Sequence, residues 1–524
     1  MKSFQQLVDE ILEFRWQTSP VTATYEGIHK YDHELDKLDK DFLLDVHEKE
    51  KYYLKELKKI DPTKLTEDEQ LDYNVLTSTL EVKLREFEQL RMWERDPSIY
   101  IDIPLYGVFT LILREFAPVG ERLEFILKRL YQVPRLIDEA KHNLKNSPAI
   151  YTKIAIEKAE ASISFFKHFV PKFAEQVPKL KAHVTKASMA AAESFDRYCR
   201  FLKEEYLASS KGEFPIGREL FDYKLKVEHM LDWDADDLLE IGESTLNRVK
   251  NALNKVAGSI EPTKAWITIV EELKSAHPPA DELLDYYRRE MQHTREFTID
   301  KNIVTIPPEE GLEVIETPQF ARPTIPYAAY MPPAPFEKQQ KGFFYVTPAT
   351  TEEQLRGHSI YSIPIVALHE GYPGHHLQLL WANRVDSKVR KVYGTSVFVE
   401  GWALYCEELF YELGYYTDPR VRLMQLKDEL WRACRVIVDV KLHTRQMSFD
   451  NAVKFLVEEA KLEPVNAEAE VKRYTSSPTQ PMSYIIGKKQ IMELRDKYSG
   501  DLREFHDKLL SFGSIPVKLI RERL

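Results

Sequence analysis

Glycine is scarce in this chain. Eighteen glycines in 524 residues are about half the usual share of about 7%. A chain with few residues free to adopt positive φ builds few tight hairpins, so mostly long helices are expected. Cysteine is scarcer still: Cys199, Cys406 and Cys434 are odd in number and far apart, which excludes a disulfide framework and a Cys-based metal site. No run approaches the ~20 apolar residues that span a bilayer. The first residues, MKSFQQLVDEILEFRWQ, interrupt their apolar positions with Asp9, Glu10 and Glu13, so they hold neither the apolar core of an export signal nor a lipidation motif. Basic charge is also short. With 73 Lys and Arg against 84 Asp and Glu, the net charge is −11, which repels a phosphate backbone. These absences point to a cytoplasmic protein with neither nucleic acid nor membrane as its partner.

What remains is an ordinary globular composition, 43% hydrophobic and 30% charged. Length alone suggests about three domains of ~150 residues. To about Gln292 the pattern is helical. After Gly120, Leu123, Ile126, Leu127, Leu130 and Tyr131 form one apolar stripe ending near Pro134, and Leu239, Leu246, Val249 and Leu253 form another behind Asp234 as N-cap. The charged run 47–61 reads as a solvated helix face. Between Phe297 and Pro348 the texture changes. Short β-prone runs (303–306, 312–316 and 343–346) alternate with Pro307, Pro308, Pro318, Pro323, Pro326, Pro332, Pro333 and Pro335, which implies edge strands. The aromatic residues there (Tyr327, Tyr330, Phe336, Phe343, Phe344, Tyr345) suit a cleft wall. Thr350 to Glu353 reads as a capping box, and helices follow to Leu524. The reading is mainly α, with a helical half (1–295) and a catalytic half (296–524) that carries a small Pro-rich β region (303–348).

One stretch stands apart: SIPIVALHEGYPGHHLQLL, residues 362–380. His369, Glu370, His375 and His376 sit in an apolar helical pattern, where buried polar groups need partners. A zinc hydrolase places two histidines at i and i+4 on a helix, with a glutamate after the first to deprotonate water. Here i+4 from His369 is Pro373, which binds nothing. On an unbroken helix His375 lies about a third of a turn off the face, and His376 is nearly eclipsed but about 10.5 Å up the axis. Pro373 and Gly374 favour a bulge that absorbs two residues, which puts His375 rather than His376 at the second ligand position. Glu400, in the apolar start of SVFVEGWALYCEELFYELG (396–414), is the expected third ligand, preferred over Asp386 in its polar run. Glu407 is a second candidate or the partner of a ligand histidine. His369, His375 and Glu400 then make a His2Glu site with one open position for a single Zn2+ per chain. Asp439 and His443 stand at i, i+4, a spacing at which a carboxylate can orient an imidazole. Tyr484, near a Pro-rich turn that opens a helix, is placed to donate to a developing oxyanion.

Taken together these residues resemble the uncharacterised bacterial and archaeal proteins of domain-of-unknown-function family 885, whose signature His-Glu-x-x-Pro-Gly-His stands here at 369–375. The resemblance continues in EGWALYCEEL (400–409), WRACRVIVDVKLH (431–443), the P-x-Q-P-x-S-Y-x-x-G pattern (478–487) and FHDKLLSFGSIP (505–516), with TATYEGIHKYD, LDYNVL and AAYMPPAPF upstream. It implies a helix-rich zincin-like fold, similar to metallocarboxypeptidases and neurolysin-type oligopeptidases. In that fold the two halves form one integrated body around a channel, with the Pro-rich sheet as an edge beside the active-site helix. It implies His369, His375 and Glu400 as zinc ligands, Glu370 as general base, and Tyr484, with His443 second, as transition-state donors. The expected activity is zinc-dependent hydrolysis of a short peptide or other amide. The alternatives are a metal-dependent hydrolase of a non-peptide molecule and a non-catalytic peptide-binding protein.

Overall fold

The structure is a computed structural model that describes residues 2–318, 322, 325 and 327–524. Helix accounts for 68% of the chain, beside one small three-stranded sheet, as the glycine count implies. Pro323 and Pro326 of the Pro-rich stretch lie outside the described residues. Among the described residues no single helix is long and apolar enough to cross a membrane.

The chain forms two compact units. The first is Met1–Phe214 with Ala334–Lys338, and the second is Pro215–Pro333 with Gln339–Leu524. The division falls after Phe214 and not at 295/296, where the sequence changes texture. The cause is helix α1 (Ala235–Ile260), whose Asp234 caps the N–H groups of Asp236 and Asp237. Its buried stripe is Leu238, Leu246, Val249 and Leu253, with Leu239 only at the margin. That stripe packs on the long helix of residues 419–443. A Cβ on Gly242 would meet Ile437 and Val436 at 3.0 and 3.1 Å, so the two helices pack closely there.

In the first unit, Val119–Leu130 buries Leu123, Ile126 and Leu130 as expected, but Tyr131 is exposed and Arg122 and Arg129 are buried. Arg122 Nη1 donates to the carbonyls of Leu111, Ile112 and Arg114. It thereby satisfies the orphan acceptors at the end of Ile99–Leu113. The stripe is rotated toward these arginines because a buried carbonyl needs a donor more than Tyr131 needs burial.

In the second unit, helix α2 (Leu283–Asp300) precedes strands β1 (Gly311–Glu316), β2 (Ala328–Met331) and β3 (Lys341–Val346). The sheet order is β1-β3-β2, with β1 parallel and β2 antiparallel to β3. Two of the three β-prone runs are strands. The third, 303–306, is not: Ile303 and Val304 are buried and the Ile303 carbonyl accepts from His506 Nδ1. None of the three strands contains a proline; β3 takes the centre and β1 and β2 take the edges. Phe344 is fully buried under Tyr287 at 5.5 Å, so this aromatic is core and not cleft lining. The cap near residue 350 sits one residue later than the capping box implies, with Thr351 accepting from Gln354 N–H.

Candidate metal centre

Helix α3 (Ile363–Glu370) carries His369 and Glu370 at its last two positions. The expected bulge does not form. The chain leaves the helix entirely for residues 371–374, with a cis Tyr372–Pro373 peptide bond, and helix α4 (His375–Arg384) begins anew. Proline has no N–H to continue the ladder. The turn closes through Gly374 N–H, which donates to the Leu368 carbonyl at 3.0 Å, and through Trp402 Nε1, which donates to the Pro373 carbonyl at 2.8 Å. Only glycine fits at 374. A Cβ there would lie 1.9 Å from the His369 carbonyl oxygen and 2.4 Å from that of Leu368. Gly374→Ala is therefore expected to destabilise the protein by about 1–3 kcal/mol through overpacking and to lower metal content. Thermal unfolding and metal analysis of the purified variant check this.

The break brings the two histidines together. Their rings are 4.8 Å apart and perpendicular, and His369, Glu370 and His375 each offer a donor atom within 4.8 Å of the others. His376 turns the other way, to Tyr330 Oη at 3.0 Å and Glu310 at 3.4 Å. Tyr372 and Arg295 also bind Glu310. The hydrogen bonds and charge of these partners outweigh burial and hold the Glu310 carboxyl at about 2.

Helix α5 (Ser396–Glu412) supplies the acids. Glu407 is fully buried and accepts His369 Nδ1–H at 2.7 Å, which turns Nε2 of that ring outward, as ligand imidazoles require. Glu400 Oε2 lies 3.4 Å from His375 Nε2, and its Oε1 accepts from Gln480 Nε2 at 3.3 Å. Burial pushes the Glu400 carboxyl up, but His375, His369 and Arg435 outweigh it and hold the pKa at about 2. Burial pushes His375 down, yet Glu400 and Glu370 outweigh that and raise it. Glu400 thus joins the cluster through His375, while Glu370 lies within it.

Two nitrogens and clustered carboxylates suit a zinc-type ion. His375 Nδ1 and Glu407 Oε2 are buried with no hydrogen-bond partner, a shortfall that a cation among these side chains would offset. The donor set fits the implied metal.

Helix α6 (Pro419–His443) and helix α7 (Ser483–Arg495) complete the centre. Helices α5 and α7 touch at Gly401 and Gly487. A Cβ on Gly487 would lie 1.8 Å from the Val397 carbonyl oxygen, and one on Gly401 would lie 2.4 Å from Gly487. This contact sets Tyr484 beside Glu400. Burial, then the charge of Glu400, raises the phenol pKa, with Arg435 and Arg432 opposing. Those two guanidiniums lie 4.8 and 5.5 Å from the Tyr484 ring. The sequence reading missed both; their only trace is the i, i+3 spacing in WRACR.

His443 is a correction. It is fully buried, its Nε2–H donates to the Tyr474 carbonyl at 2.9 Å, and Asp439 stands 3.9 Å away. Burial lowers its pKa to about 4, so it is neutral and fixed in the core, not a donor at the centre. Asp439 serves elsewhere: its carboxyl accepts from the N–H groups of Thr479 and Met482, fixing the turn that presents Tyr484. Fully buried His229 ties Thr479 to Thr395, the cap of α5. It is a lone histidine that no spacing marks.

A mainly helical body with a small mixed sheet, and a His-Glu-His cluster backed by buried Glu407 and half-buried Glu400, is the class these features define. The chain belongs to the family described as bacterial protein of unknown function (DUF885), whose model matches residues 20–524. No curated protein matches it. A protein described as a putative lipoprotein of unknown function from Shewanella oneidensis has a similar solved structure. It is 26% identical with a TM-score of 0.82, over 100% of this chain and 99% of that one. The putative lipoprotein from Colwellia psychrerythraea is 18% identical with a TM-score of 0.83, over 99% and 98%. These neighbours overturn the cytoplasmic placement expected from the sequence, because lipoproteins are held at a membrane by their lipid. That expectation rested on the absence of an export signal and on unpaired cysteines. The cysteines are all buried, where oxidants do not reach them, so they do not report the compartment.

Proposed function

We propose that this protein is a zinc-dependent hydrolase of short peptides or related amides, zincin-like in its centre and working outside the cytoplasm as its lipoprotein neighbours suggest. The observation that carries the reading is the convergence of His369, Glu370 and His375 within 4.8 Å, with Glu407 behind His369. His369, His375 and Glu400 would hold the ion. A bound zinc ion would supply Lewis acidity there, polarising a carbonyl and lowering the pKa of water toward about 7.

The chain's own groups do the rest. Glu370, inside the cluster, takes the proton of the attacking water and returns it to the leaving amine. Glu407 fixes the tautomer and direction of His369. Tyr484, held over Arg432 and Arg435, donates its hydroxyl to the oxyanion as the carbonyl becomes tetrahedral. Replacing Tyr484 by Phe is expected to lower kcat about 10²-fold with KM little changed, because the bond exists only in the transition state. Steady-state kinetics on a cleaved peptide measure this, and a fall confined to KM would remove the role. The overall reading is tested by metal analysis of protein purified without chelator, together with product identification from a mixed peptide library.

A further inference from the structure

Arg432, one turn before Arg435 on α6, stands out among the groups around the centre. Its side chain is 15% exposed, and its Nε is buried with no hydrogen-bond partner. Its nearest anion, Glu407 Oε1, is 3.5 Å away and is already bonded to His369 at 2.7 Å. Arg435 differs. It donates to Tyr474 Oη at 2.9 Å and to Glu470, and it is sandwiched between Trp431 and Tyr484 at 4.2 and 4.8 Å. Its task is to hold the phenol. Arg432 has five N–H donors in a planar fork, an aromatic face beside it in Tyr484 at 5.5 Å, and a position next to the acid that orients a ligand histidine. Leaving the buried Nε–H of that fork without an acceptor is costly. The group that completes the fork is a planar anion that accepts two parallel bonds.

We propose that Arg432 is a carboxylate-binding subsite and that the substrate is a peptide with a free terminal carboxylate close to the scissile bond. This rests on the hydrolase reading and gives it a direction: cleavage from the carboxyl end. Lysine at 432 would keep the charge near Glu407 but lose the fork.

The test compares N-blocked di- and tripeptides as free acids and as C-terminal amides, using the full-length zinc-loaded protein. The wild type is expected to favour the acids by roughly 10- to 100-fold in kcat/KM, the range of a lost charge-assisted bond. Arg432→Met should erase that preference by raising KM for the acids beyond any loss that it shares with the amides through Tyr484 or Glu407, and Arg432→Lys should fall between. Should Arg432→Met not fold, Arg432→Lys carries the same comparison. Equal cleavage of acids and amides by the wild type overturns the proposal. So does an equal loss on both classes in the variants, the mark of a structural role through Glu407. Failure of the hydrolase reading is separable. If no peptide is cleaved, calorimetric binding of the same acids and amides to Glu370→Gln protein, with and without Arg432→Met, decides the subsite. An acid preference that Arg432→Met removes supports it, and equal affinity or no binding overturns it.

Discussion

Glu370→Gln is expected to lower kcat by roughly 10²–10⁴-fold, the cost of removing a general base, while the protein keeps its fold and its metal. The substitution keeps the shape of the side chain but removes its basicity. Glu370 is the last residue of α3, and the chain turns away immediately after it at Gly371, so the end of this helix packs against no continuation. Glutamine there disturbs little else. The decisive comparison is metal content against turnover in the same preparation. Metal retained with turnover lost fits a base. Metal lost in Glu370→Gln and retained in Glu400→Gln would exchange the roles of the two acids, which the distances alone allow, since Glu370 lies in the cluster while Glu400 reaches it through His375. Unchanged turnover would remove Glu370 from the mechanism.

The second large effect concerns the adjacent histidines. His375→Ala is expected to weaken zinc binding by at least about 10²-fold, because even the partners behind the ligands are worth about 10–100-fold. His376→Ala should leave zinc bound, since its ring is engaged with Tyr330 and Glu310 on the side of the sheet. Its cost appears as stability instead. Removing the ring leaves buried Glu310 with one partner fewer and opens space beside Gly342, whose Cβ position is 2.8 Å from His376 Nδ1, for a loss of about 2 kcal/mol. Equilibrium dialysis against zinc and thermal unfolding separate the two variants. Zinc lost from His376→Ala and kept by His375→Ala would reverse the assignment.

Much of this was legible in the sequence, for identifiable reasons. Helix is set by local spacing and by the shortage of glycine, so the stripes at 123–130 and 246–253 could be read from the chain, while Leu238 and not Leu239 begins the second one. The identities at the centre were legible because histidines and acids in apolar runs have no bland partner nearby. His443 shows the limit. An i, i+4 pair says that two side chains share a helix face, but it does not say which element that face meets, and here it meets the Tyr474 carbonyl in the core. Arg432 and Arg435 were invisible for the complementary reason: arginine on a helix reads as surface until the packing partner is known.

Local sequence dictated the helical class, the break after Glu370 and the set of residues able to bind a metal, because each depends on neighbours a few positions away. The form of that break, a four-residue turn and not a bulge, came from tertiary packing alone. So did the placing of Glu407 behind His369, and the glycine contact between α5 and α7 that sets Tyr484 beside Glu400. Each of these depends on side chains dozens of residues apart meeting in one packed interior, and local spacing carries no record of such meetings.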